Sequence, residues 1–485
     1  MLLKLAGLLL IVQISESLLL RVNEFGLHEA ANFTRQWLSM AGPHMKMPEI
    51  RLFSVILKTV SKIHMLAQSF YNSFAGGEMT VTNITIKRFV PPLIRFRPSD
   101  HSFLYMSTLS GYAQVSAEWA VESQFLHMLK IPLEGQIHAQ MTGLISEIAM
   151  QITQDNEVEV HHCVAQIRDL RVAFEGSVAA DVIHWFRQSI TRAIRRTLEE
   201  EYCDMMRNHW LPWVEAQLYQ FPTNLTISHN PDVTLIQTMQ SIAMTQHHVD
   251  VRMRSDLIWD DEFVESGMVE NSTLASVEAL PRSTRMIDMF IDEHTVQSII
   301  AAAHFAGHLK TKIESPFLKT SCDVLCIGTV LPELAEQVPN RTLSVEAATL
   351  SPPVIDLQQG RALVYLNASL NVFAAPPLKT VEGSMLTINV ETEFTLTMEM
   401  RNKRVKGYIN MINAQANLVD SKTVDFLVNM STPFLEDAVD VLIGRGLIVA
   451  DPFQFPSTNE HLSIHDKCLR WEADIVMPTV VAHTN

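Results

Sequence analysis

Apolar and polar positions along this chain follow two periods, and a clear change from one to the other lies between residues 158 and 203. Val158 and Val160, then Leu170, Val172 and Phe174, give the broken alternation of a half-buried strand. Glu175-Gly176-Ser177 punctuates it, after which Val182, Ile183, Phe186, Ile190 and Ala193 fall on one side of a helical wheel. Asp181, His184, Gln188, Thr191 and Arg195 fall on the other, so the helix is expected to lie on a surface with one face packed. Cys163 and Cys203 bracket the strand and the helix. A bridge between them would remove about 4 kcal/mol of unfolded-chain entropy and clamp the helix to its sheet.

The same order opens the chain. A strand-like run from Leu18 to Phe25 leads through Gly26 into a helix with Leu27, Ala30, Ala31, Thr34 and Leu38 on one face, ended by Gly42-Pro43. From Ile50 to about Phe174 strands dominate, with Thr80–Ile86, Phe103–Val115 and Gln136–Ile152 nearly alternating and the last expected to be long and bent. Pro212, Pro222 and Pro231 then mark a connection. Beyond it Met286–Ile291 reads as a strand, Asp292 as a helix N-cap, and Val296, Ile299, Ile300, Ala303 and Gly307 as one helical face. Strands follow: Leu386, Ile388, Val390, Thr392, Phe394, Leu396, Met398 and Met400 point one way, with a polar set between them. Val364 to Val372 alternates likewise. A long helix over about 422–444, kinked at Pro433, would carry Val424, Leu427, Val428, Phe434 and Leu435 on one side. An extended tail over 451–476 suits a return to the middle. The chain thus reads twice as strand, helix, many strands, long helix.

Composition narrows the setting. Lys4, the apolar run Leu5–Ile14 and Ser15-Glu16-Ser17 read as a secretory signal over residues 1–17. Seven N-x-[ST] sequons fit that route: Asn32, Asn83, Asn224, Asn271, Asn340, Asn367 and Asn429. Asn32, Asn367 and Asn429 fall on the polar sides of their elements. Five cysteines in an oxidising compartment leave at least one unpaired in a monomer, and the pairing of Cys322, Cys326 and Cys468 stays open. The formal charge of −16 argues against a nucleic-acid partner. It is uneven: residues 1–230 hold 19 Lys and Arg against 21 Asp and Glu, and residues 231–485 hold 18 against 32. G-x-S-x-G, H-E-x-x-H, Walker A and dinucleotide motifs are all missing, so no enzymatic activity and no cofactor are expected. His461, His465 and Cys468, or His161-His162 beside Cys163, have spacings that could suit a metal, but neither makes a tetrahedral set, and no metal is expected.

Arg21-Val22-Asn23-Glu24-Phe25-Gly26-Leu27 opening the first helix, the forty-residue separation of Cys163 and Cys203, the duplicated order, and Leu462-Ser463-Ile464-His465 after Pro452 and Pro456 carry a resemblance over nearly the whole mature chain. The chain resembles the secreted lipid-binding family of bactericidal/permeability-increasing protein, lipopolysaccharide-binding protein, cholesteryl ester transfer protein and phospholipid transfer protein. The resemblance implies an α+β, elongated, two-unit fold in which curved antiparallel sheets wrap long amphipathic helices and a central sheet joins them. The divisions it suggests are a signal over 1–17, an N-terminal barrel-like unit over 18–222, linker and central strands over 223–283, a C-terminal barrel-like unit over 284–445, and a return with tail over 446–485. It implies apolar pockets for phospholipid or another amphipathic lipid, lined by Leu27, Ala31 and Leu38 with Val182, Phe186 and Ile190 in the first unit. In the second, Val296, Ile300 and Ala303 with Leu427 and Leu435 would serve. Cys163–Cys203 becomes a structural disulfide, and a membrane or lipoprotein surface the site of exchange. Bactericidal members carry a cationic first unit; here Lys87, Arg88, Arg95 and Arg97 form only a local patch, so tight lipopolysaccharide binding is not expected. The expected function is lipid transfer or innate-immune lipid recognition by a secreted glycoprotein. The alternatives are an interaction glycoprotein on the same fold without a lipid and, further off, a secreted hydrolase.

Overall fold

A strand followed by a one-faced helix begins the described residues, but the helix starts at Glu24 directly after the strand, so Gly26, expected to lie at the junction, is inside it. β1 (Leu18–Asn23) is buried almost throughout, and α1 (Glu24–Ala41) follows it, ending where a 3-10 turn begins at Gly42. The computed structural model describes residues 18–44, 49–53, 78–100, 103–125, 129–153, 157–176, 179–219, 224–229, 232–259, 262–264, 274, 277, 280–307, 309–313, 317–322, 326–330, 332–375, 384–401, 404–416 and 456–476. The signal expected over 1–17 and the helix expected over 422–444 lie outside them.

In chain order the next elements are β2 (Ile50–Phe53), β3 (Glu78–Val90), β4 (Leu93–Ser99), β5 (Phe103–Leu109), β6 (Tyr112–Phe125), β7 (Leu129–Ile152) and β8 (Val158–Gly176). Helix α2 (Ala179–Met205) runs through a π-helical turn at Met206–Trp210 into α3 (Leu211–Tyr219). Then come β9 (Asn224–His229), β10 (Asp232–Met244), β11 (His248–Trp259), β12 (Glu262–Val264), β13 (Ile287–Asp292), α4 (Glu293–Phe305) and β14 (Lys310–Ile313). Short helices α5 (Ile327–Val330) and α6 (Pro332–Gln337) precede β15 (Thr342–Thr349), β16 (Val354–Gln358), β17 (Arg361–Ala375), β18 (Leu386–Arg401), β19 (Arg404–Ala416), β20 (Ser457–His465) and β21 (Cys468–Ile475). Antiparallel sheets with helices laid on them make this an α+β fold.

The strands form three sheets among the described residues: β2-β3-β6-β7-β5-β4 with β8 beside β7, β14-β15-β17-β18-β19 with β16 beside β17, and β20-β21-β13-β1-β11-β10-β9 with β12 beside β11. The last gathers strands from both ends of the chain. Two compact units result, one of Met1–Asn23, Pro222–Ser241 and Asp250–Val476, the other of Glu24–Phe221, Ile242–Val249 and Met477–Asn485.

Two expectations need correcting. The run Phe103–Val115 is not one strand: Ser110 and Gly111 have φ of 74° and 98°, a left-handed pair that ends β5 and starts β6. Both strands then pair with β7, β6 along Leu129–Thr142 and β5 along Ser146–Met150, and the exchange of neighbour falls at Gly143, φ 71°. Its amide donates to the Gly111 carbonyl, and a Cβ there would stand 2.9 Å from that of Arg168. Likewise, the tail is not a single extended return but a hairpin, β20–β21, turned at Asp466-Lys467 where Lys467 has φ 63°. The alternation read along β18 is present, with Ile388, Thr392, Phe394 and Leu396 buried; Thr395 is buried too, beside a register shift at Glu393/Phe394.

Candidate functional site

The unit built on β2–β8 packs α2 against its sheet. Ile194 is buried in a core with Trp119, Ile137, Ile167 and Val172, and Leu198 and Tyr202, four and eight residues on, pack against the same core. Cys163 of β8 is bonded to Cys203 at the end of α2, with Cα atoms 5.9 Å apart. Strand β8 pairs only with β7 among the described strands, so one row of its amides needs other partners. The helices supply them: Glu199 accepts from the Ile167 amide at 2.8 Å, and Glu215 of α3 from that of Val158 at 3.1 Å. Disulfide and carboxylates together fasten the helices along an otherwise open edge. Beneath α2 a hydroxyl chain runs from Thr108 to Ser146 (2.7 Å) to Tyr202 (3.1 Å), and burial pushes the Tyr202 phenol above its ordinary pKa.

On α1, Leu27, Ala31, Thr34 and Leu38 are buried, as the wheel requires. A neighbouring face carries Phe33 and Trp37, stacked on Trp213 of α3 with ring centroids 5.9 and 5.1 Å away. These aromatics escaped the reading from apolar periodicity because Trp213 follows a proline taken as connection. The side chains of Val182, Phe186 and Ile190 lie outside the described residues.

The other unit repeats the device with different residues. Asp292 caps α4 by accepting from the Thr295 amide at 2.9 Å. Val296 and Ala303 are buried and Ile300 is partly so. Edge strand β16 is sealed by α4: Glu293 accepts from the Leu357 amide at 2.6 Å, while Gln297 accepts from Ile355 (2.9 Å) and donates to the Pro353 carbonyl (2.8 Å). Lys467 reaches Glu293 at 3.0 Å and Asp356, tying the β20–β21 turn to the same place. Leu427 and Leu435 lie outside the described residues.

A third feature was half visible in the sequence. The β3–β4 and β5–β6 turns meet, with Pro92 3.3 Å from where a Gly111 Cβ would be. Val90, Leu93 and Leu109 are 41, 53 and 55% exposed around this tip, and Leu93 pairs with Leu109 across the strands. Lys87, Arg88, Arg95 and Arg97 are exposed on the flanking strands. An apolar point with a basic collar suits an interface between water and anionic or zwitterionic headgroups. The basic residues were read from the sequence; Val-Pro-Pro-Leu between them, which forces the leucine and valine to a turn, was the unused signal.

The remaining candidates separate clearly. Cys163 is in a disulfide, which removes it from any metal set with His161-His162. His461 bonds Glu472 at 3.1 Å, His465 bonds Ser463 and Gln359, and the Cys468 thiol, buried and pushed up to about 11, is unpaired. Among the described residues no group of three or more potential ligands forms a metal site, and no helix is long and apolar enough to cross a membrane. Cys322 is bonded to Cys326, resolving the pairing left open. Of the sequons, Asn83, Asn224 and Asn340 are exposed, Asn32 and Asn367 half-buried, and Asn271 and Asn429 outside the described residues.

Comparison with known proteins agrees with this architecture. The profile of the LBP / BPI / CETP family, C-terminal domain, matches residues 226–477, just over half the chain. Lipopolysaccharide-binding protein of Bos taurus is 22% identical over 341 residues, 67% of this chain and 67% of its own length. Phospholipid transfer protein of Mus musculus is 20% identical over 283 residues, 56% of each. A crystal structure of lipopolysaccharide binding protein superposes with a TM-score of 0.57 at 16% identity, covering 96% of this chain and 99% of that one, which shows a shared fold. These relatives are named for binding and transfer, not catalysis, in line with the expectation of no enzymatic activity. The chain belongs to the LBP / BPI / CETP family.

Proposed function

We propose that the chain is a secreted lipid-binding glycoprotein that holds phospholipid-like amphipaths in apolar pockets of the stretches 18–222 and 284–445 and exchanges them at a membrane or lipoprotein surface. Family membership carries this reading, since relatives are named for binding lipopolysaccharide and transferring phospholipid. The buried stripe Leu27, Ala31, Leu38 and its counterpart Val296, Ile300, Ala303 support it, because each methylene of an acyl chain taken up beside them contributes about 0.8 kcal/mol. In the same proposal Val182, Phe186 and Ile190 face the first acyl site and Leu427 and Leu435 the second. The tip of Val90, Leu93 and Leu109 is the surface-docking element. Lipopolysaccharide is a weak ligand in this reading, because the 21 acidic residues of the first 230 offset its 19 basic ones.

Lipid extraction and mass spectrometry of protein purified from culture medium test the reading. Stoichiometric phospholipid is expected, and Ala31→Trp should lower it while sparing secretion, since a hollow tolerates the added ring and a solid core does not. Protein secreted in good yield without any bound lipid would refute it. Tight endotoxin binding at physiological salt would replace phospholipid by lipopolysaccharide as the ligand.

A further inference from the structure

One face of the β17–β18–β19 sheet carries an open groove of about 330 Å3, of the size that takes a small ligand. Its floor is two rows of cross-strand neighbours: Tyr365, Glu393 and Asn413 in one, Asn367, Glu391 and Gln415 in the next. Tyr365 is 45% exposed and offers an aromatic face; the two carboxylates and two amides beside it offer acceptors and donors in quantity. An N-acetylhexosamine matches this pairing, with an apolar C–H face to its ring and hydroxyl and acetamido groups around the edge. Asn367 is itself the acceptor of a sequon completed by Ser369. Its amide makes no side-chain hydrogen bond among the described residues, whereas the Asn83 and Asn32 amides donate to Glu118 (2.6 Å) and Glu29 (3.3 Å).

We infer that Asn367 carries an N-linked glycan whose first N-acetylhexosamines lie in this groove against Tyr365. In the transfer, Nδ2 of Asn367 bonds to the anomeric carbon of a lipid-linked oligosaccharyl pyrophosphate and loses one proton. The bond from that carbon to the pyrophosphate oxygen breaks, and the lipid pyrophosphate leaves with the electron pair. Transfer precedes folding, because in the finished sheet Asn367 is half-buried, paired opposite Glu391, and its carbonyl accepts from Leu350 at 2.8 Å. The glycan would then complete the polar face of this sheet and cover its acidic pair. This inference rests on the secretory part of the proposed function.

The test is site-resolved glycopeptide mass spectrometry of protein secreted from mammalian cells, with enzymatic deglycosylation timed in heavy-oxygen water before and after unfolding. Asn83 and Asn340, both exposed and at positive φ of 51° and 58°, serve as internal references. Release at Asn367 should be at least ten-fold slower than at the references in the native protein and equal to them after unfolding. Tyr365→Ala, at an exposed position, should bring the native rate at Asn367 to that of the references. Occupied references with a bare Asn367, or equal native rates in the unaltered protein, would overturn the inference and leave the secretory reading standing. Bare sequons throughout would overturn both.

Discussion

Arg21 and Asp250 form a two-point ion pair, Nε to Oδ1 and Nη2 to Oδ2 both at 2.8 Å, although 229 positions separate them. Only 8 and 6% of their side chains are exposed. Arg21 of β1 and Arg470 of β21, from the strands on either side of β13, each stand 5.5 Å from the ring centroid of Phe290, and Arg470 pairs with Asp288 at 3.0 Å. Removing one member of such a pair strands the other charge in a dry place. Asp250→Ala is therefore expected to cost about 3–5 kcal/mol, while the joint change Arg21→Met with Asp250→Leu should lie close to the parent. Chemical denaturation of the three proteins decides; a single change costing under about 1 kcal/mol would show the pair to be solvated in solution.

Glu199→Ala should open the edge of β8 without touching the disulfide. The Ile167 amide loses its acceptor, at an expected cost of about 1–3 kcal/mol. Hydrogen exchange read residue by residue should show faster exchange at Ile167 while Val158, held by Glu215, stays protected. Uniform acceleration along β8 would mean that Glu199 acts on the whole strand and not on one amide.

Much of this organisation was legible beforehand, for identifiable reasons. Asp292 as a cap, the stripe Leu27, Ala31 and Leu38, and the strands around Phe394 are set by local period, which the sequence displays directly. The break at Ser110-Gly111 was lost inside a run of strand-forming residues, because a left-handed pair needs only one glycine to be affordable. The edge contacts of Glu199 and Glu293 could not be read at all: on a wheel they are ordinary polar positions, and only the sheet's free amides give them a task. The tip lies between these cases: Val90-Pro91-Pro92-Leu93 marks a turn in the sequence, but the exposure of Leu109 beside it depends on a second turn meeting the first.

His465 sets a pH dependence. Its ring nitrogens sit 3.0 Å from the Ser463 hydroxyl and 3.1 Å from the Gln359 side-chain oxygen. Burial, then the charge of Arg470, hold its pKa below 6.5; Glu472 and Asp466 pull it upward and His461 further down. A folded value below the unfolded one means that the neutral ring's contribution is complete above about pH 6.5 and is lost as pH falls through the lowered value. Asp288 and Asp292, raised by burial, act in the opposite sense and gain stability as pH falls through their own folded values. His465→Gln should therefore destabilise at pH 8, with the gap from the parent narrowing below pH 6.5. A gap that stays constant across this range would remove His465 as the cause.

Leu93→Asp with Leu109→Asp should leave folding unchanged, because both side chains are more than half exposed. Partition onto vesicles of phosphatidylcholine with some phosphatidylserine should fall at least ten-fold, since each leucine inserted contributes about 1.5–3 kcal/mol. Flotation assays measure it directly. Unaltered partition would place membrane contact elsewhere.

The pairing of β1 with β13 and of β13 with β21 joins residues 18–23 to 468–475 in one sheet. Such a sheet cannot close while the ribosome is still reading the message. At about 5–20 residues per second, β1 waits on the order of tens of seconds for its last neighbours to be synthesised. Through that interval β1, which opens with the apolar run Leu18-Leu19-Leu20, has no finished sheet to enter. The sheet is thereby completed only after nearly the whole chain has been made, and a stop codon anywhere before residue 468 removes β21 and leaves that interval without an end.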